Sequence, residues 1–120
     1  MLLQSGSGSI AVLGTLVFFA LGLSVTAHLA ARNVLGDVDP KRALLVGPLP
    51  ATVGVVGGAF TLPAALTVPV ALLLDGAAIH RAYGQPPRGT ALITFIHFVI
   101  TVLITVIVVG IAILLASRPA

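Results

Sequence analysis

Charge is what this sequence has least of. Asp, Glu, Lys and Arg make up 8% of its 120 residues, against roughly 25% in an ordinary soluble domain. Cysteine is absent, which excludes disulfides, thiolate metal sites and cysteine nucleophiles. Only three acidic residues are present, so any two-carboxylate centre would have to use Asp37 or Asp39, both better suited to turns. No P-loop, no Gly-x-Ser-x-Gly elbow and no His-Glu-x-x-His pair occurs. These absences point away from an enzyme and suggest no cofactor.

What fills the chain is apolar: 58% of its residues are hydrophobic. The segment from Thr90 to Ser117 carries no charged side chain, and about 18 apolar residues suffice to cross the hydrocarbon core. Apart from Asp75 and Arg118, every charge lies in one of two short stretches, Arg32–Arg42 and Arg81–Arg88. No polar stretch is long enough for a separate soluble domain. The expectation is one all-α integral membrane domain over residues 1–120, in the cell membrane, with helices at about 9–31, 43–59, 62–83 and 90–116. Residues 1–9 carry no basic side chain, so helix 1 reads as a retained span and not as a cleaved signal.

The middle of the chain is the hard part, because residues 43–83 are too long for one span. Gly57 and Gly58 supply backbone freedom for a turn, and Pro63 suits the first turn of a new helix. Helix 2 is short and interrupted by Pro48 and Pro50, so a re-entrant segment is the alternative to a full crossing. Loop charge arbitrates. With four spans and both termini outside, Arg32, Lys41, Arg42, Arg81 and Arg88 face inside and Arg118 alone faces outside, the split that basic residues favour. Three spans give at best four against two. The same basic residues favour anionic lipid headgroups as partners, with no role for nucleic acid.

A carboxylate in mid-helix is costly, about 2.5–3.5 kcal/mol on insertion scales, so Asp75 needs a partner. If the second loop turns near Gln85–Pro86, Asp75 and His97 fall at similar depth on antiparallel helices and form an intramembrane polar pair. Thr90, Thr94, Thr101 and Thr105 share a face with His97. Their stripe serves interhelical hydrogen bonding or, in the sharper alternative, a wetted path. His28 and His80 lie near the inner helix ends, and a three-histidine metal site is the less favoured reading. Gly54 and Gly58 form a small-xxx-small pair for close helix approach within the chain or between copies. Asp75 to Arg81 matches the start of the CDP-alcohol phosphotransferase signature only superficially, since Ile79-His80 stand where Ala-Arg belongs and the further acids are missing.

The D-x-D-P loop (Asp37 to Pro40), the proline-broken middle, the Asp-bearing helix ending in Arg81-Ala82-Tyr83-Gly84 and the Thr90 to His97 opening of the last helix form one pattern. That pattern resembles small multi-pass membrane proteins of halophilic archaea with no assigned function. The resemblance implies no activity. The functional expectation is a non-catalytic bundle, an accessory or scaffold subunit that associates through helix packing as a homo-oligomer or in a larger membrane complex. The alternative is a small oligomeric transporter or channel with an ion or proton path through Asp75 and His97.

Overall fold

A computed structural model describes residues 2–119, with side chains placed from Gly8 onward. It consists of α1 (Leu2–Leu35), a 3-10 segment (Pro40–Leu45), α2 (Pro48–Ala59), α3 (Ala64–Tyr83) and α4 (Pro87–Ala116). Four stretches are long and apolar enough to cross a membrane: Gly8–Leu35, Pro40–Ala59, Ala64–Tyr83 and Pro87–Ala116. The helices form a ring. α1 packs on α2 and α4, and α3 closes the circuit between α2 and α4, while diagonal pairs stay apart. One end of the bundle carries the two charged loops, and the other carries the α2–α3 turn, the start of α1 and the end of α4.

Local chemistry sets the boundaries. α1 runs to Leu35, beyond the expected residue 31, and stops where Gly36 takes φ +80 and its N–H bonds the Arg32 carbonyl at 2.9 Å. α3 ends the same way at Gly84, φ +63. A left-handed residue after the last turn costs glycine nothing. α4 begins at Pro87, earlier than the expected Thr90, because proline suits a position whose N–H has no intrahelical acceptor. Asp39 caps the 3-10 segment, its carboxylate accepting from the Lys41 N–H at 3.0 Å.

The second span is not the single helix expected from about Ala43. It is a 3-10 segment and an α-helix joined through Val46 and Gly47. Proline explains the break. Pro48 and Pro50 have no N–H, so two donors that a helix start leaves orphaned are missing from the start. Ala51 N–H reaches the Gly47 carbonyl at 3.3 Å. A helix can therefore begin between apolar neighbours with few unsatisfied donors.

The α2–α3 turn also differs from expectation. Gly57 and Gly58 remain helical, and the left-handed residue is Thr61, φ +52. Leu62 N–H bonds the Gly57 carbonyl at 2.8 Å and Thr61 N–H bonds Gly58 at 3.2 Å. Gly57 instead serves packing, since a Cβ there would lie 2.6 Å from Thr67 Cγ2.

The largest buried cluster lies in the loop half of the bundle, while Ala51 and Gly57 are buried on α2 outside it. Ala27, Ala30, Ala31, Ala43, Val46, Ala78, Ile79, Tyr83 and Ile93 make one buried cluster. Its alanines let the helix backbones approach closely. Toward the termini the helices diverge in burial, and the apolar side chains of α4 beyond Thr101 are exposed.

Candidate functional site: a buried carboxylate–imidazole network

Asp75 is on α3 and His97 on α4, each about ten residues from the loop that joins them. Antiparallel packing brings them to one depth, and Gly76 facing Thr94 keeps the helices close. Asp75 is 4% exposed and His97 2%. His97 Nδ1 lies 2.6 Å from Asp75 Oδ2.

The other ring nitrogen reaches α1. His97 Nε2 is 3.0 Å from the Leu23 carbonyl oxygen and 2.8 Å from Thr26 Oγ1. A carbonyl only accepts, so Nε2 carries hydrogen and donates. The hydroxyls agree with this. Thr101 donates to Thr26 at 3.1 Å, and Thr26 donates onward to the Leu23 carbonyl at 3.0 Å. Thr26 Oγ1 then has one hydrogen to give and two to receive, which fills its capacity. With a hydrogen on Nε2, the short Nδ1–Oδ2 contact needs a proton of its own between nitrogen and oxygen. The pair therefore holds two protons and is neutral overall, as burial in an apolar interior demands. Three helices are tied at one point.

One atom of the network is left over. Asp75 Oδ1 is buried and has no hydrogen-bond partner among the described residues. It belongs to a residue lining a cavity of about 200 Å³ with Leu23, Pro50, Ala71, His97 and Thr101. Pro50, in the first turn of α2, is the one residue of the second span in its lining.

The remaining candidate residues are dispersed. Thr94 donates to the Thr90 carbonyl at 2.8 Å, and Thr90 Oγ1 donates to the Gln85 carbonyl at 3.2 Å and lies 3.4 Å from His80 Nδ1. Thr105 is exposed, so the stripe packs inward only from Thr90 to Thr101. α1 meets α4 at that level, and beyond it the apolar side chains of α4 are exposed. His28 is half-buried on α1, with Nδ1 lacking a partner. No group of three potential metal ligands occurs among the described residues. Arg32, Lys41, Arg42, Arg81 and Arg88 are all exposed at the loop end, and Arg118 is exposed near the other.

Gly54 and Gly58 are exposed, with nothing within 4 Å of a Cβ built on either. Close approach within the chain falls to Gly47 and Gly57. A Cβ on Gly47 would overlap Ser24 Oγ and the Ala20 carbonyl oxygen. Sequence reasoning missed Gly47, Thr26 and the Leu23 carbonyl. Thr26 had a signal, being one of the few polar side chains in an apolar run; the carbonyl had none.

A family model matches residues 6–119, nearly the whole chain. The chain belongs to DUF7473, a family of unknown function. No curated protein and no solved structure matches it. The break, the buried network and all of α2, α3 and α4 lie inside the matched span, which takes in α1 from residue 6 on.

Proposed function

We propose that this protein is a non-catalytic, multi-pass integral membrane protein that acts as an accessory or scaffold subunit. Four crossings place both termini outside and the two basic loops inside, as the charge split favours. The halophilic archaeal character belongs to the same proposal and rests on sequence pattern alone. The observation that carries the reading is the contrast between the two halves of the bundle. The loop half has its own packed core, while large apolar side chains of α1 and α4 toward the other end, Phe18 and Leu114 among them, are exposed. A second copy or another membrane subunit fits such faces, with lipid as the competing neighbour.

Transport or channel activity is the second reading, favoured by the buried Asp75 and His97. The packed core on the loop side supports the non-conducting reading, because a path through the bundle would have to cross it. Purification from native membranes in mild detergent, with mass measurement of the intact particle, tests the proposal. The expected result is an oligomer or a complex with another membrane protein. A monomer without a partner contradicts it.

A further inference from the structure

The Asp75–His97 bond divides a packed region from an open one. Every member of the buried cluster lies on its loop side, from Ala27 on α1 to Ile93 on α4. Every other wall of the cavity lies on its termini side: Leu23, Pro50, Val68, Ala71, Leu72 and Thr101, with Phe98 at the edge. Apart from Asp75 and His97, no residue lining the cavity titrates. Asp75 also lines this space, and its Oδ1 is buried with no hydrogen-bond partner among the described residues. Leaving such an oxygen dry is costly, and water cures it where there is room. At roughly 30 Å³ per water, about 200 Å³ takes a small cluster beside Asp75 and Thr101.

We propose that the cavity is a hydrated vestibule, reached from the end of the bundle that carries the termini, through which water exchanges the proton held between Asp75 and His97. The inference rests on the membrane-bundle reading and adds to it a one-sided protonation site. The step is a plain transfer. Vestibule water hands one proton to the pair as it takes the shared proton away, so each exchange leaves the pair with two protons and no net charge. The Nε2 hydrogen stays on the Leu23 and Thr26 side throughout. The packed core prevents the proton from continuing toward the loops, so the site exchanges its proton with one face and does not conduct.

Absence of native cysteine makes accessibility directly measurable in sealed vesicles with a small charged methanethiosulfonate. Ala71→Cys and Thr101→Cys line the vestibule, Leu73→Cys faces the surroundings at 74% exposure, Ala78→Cys sits in the core and Gln85→Cys marks the loop side. The expected result is modification at 71 and 101 at least tenfold faster than at 73 or 78, from the side opposite to that labelling 85. Rates at 71 and 101 no faster than at 73 overturn the proposal, as does reaction from the same side as 85. Failure of the membrane reading is distinguishable, because Phe60→Cys and Gln85→Cys would then react from one side. Hydrogen–deuterium exchange of the Asp75 infrared band, assigned against Asp75→Asn, gives an independent readout. Exchange within minutes is expected, and persistence for hours overturns the proposal.

Discussion

His97 reaches three helices with one ring, and each of its contacts depends on where its hydrogens sit. Removing one member of a buried pair leaves the other unsatisfied, at a cost of about 3–5 kcal/mol, whereas replacing both with apolar groups of similar size is close to neutral. Asp75→Leu and His97→Leu should therefore each lower the unfolding midpoint in detergent, and the double variant should recover most of the loss. Additive losses would mean that the two side chains do not depend on each other. Asp75→Asn is expected to be mild, because an amide can still partner Nδ1. The pairing was legible in the sequence because depth follows from counting residues to a turn. The bond to α1 was not, because it uses a main-chain carbonyl whose availability depends on how α1 rotates against α4.

Glycine and proline decide the elements, though not at every position the sequence suggests. Gly47 has ordinary helical angles, so it is required for space alone. Overpacking a tight contact costs about 1–3 kcal/mol. Gly47→Val should destabilise the bundle by that order, and Gly54→Val, with open space around it, should leave thermal stability of the isolated chain unchanged. Equal effects at both positions would contradict the packing of α1 on the second span. Thr61 invites the opposite change. A β-branched residue in the left-handed region is strained by about 1–3 kcal/mol, so Thr61→Gly should raise the midpoint, and a lowered midpoint would contradict the turn geometry. The sequence marks this turn only through the neighbouring Gly57 and Gly58. Small residues announce either a turn or a close approach, and only the packed neighbour, here Thr67, distinguishes the two. The proline interruption of the second span was legible; its resolution into a 3-10 segment and a short α-helix depends on the close seat of Gly47 against Ser24.

At the scale of the molecule, the charged loops, the core and the vestibule lie in order along one axis. Basic residues gather at one end, the alanine-rich core adjoins it, the Asp75–His97 bond closes the core, and open apolar helix faces extend toward the termini. Four helices and their approximate limits follow from hydropathy, because a bilayer admits only internally satisfied backbone. The asymmetry of the packing does not follow from hydropathy, since an apolar residue in a span looks the same whether its neighbour is protein or lipid. The order along the axis has meaning only if the second and third helices form a true crossing pair, with the α2–α3 turn and the α3–α4 loop on opposite faces. Labelling of single introduced cysteines at 60 and 85 in sealed cells, before and after permeabilisation, measures that directly. The account expects Phe60→Cys to react from outside in intact cells and Gln85→Cys to react only once the membrane is opened. Reaction of both from outside in intact cells would contradict it.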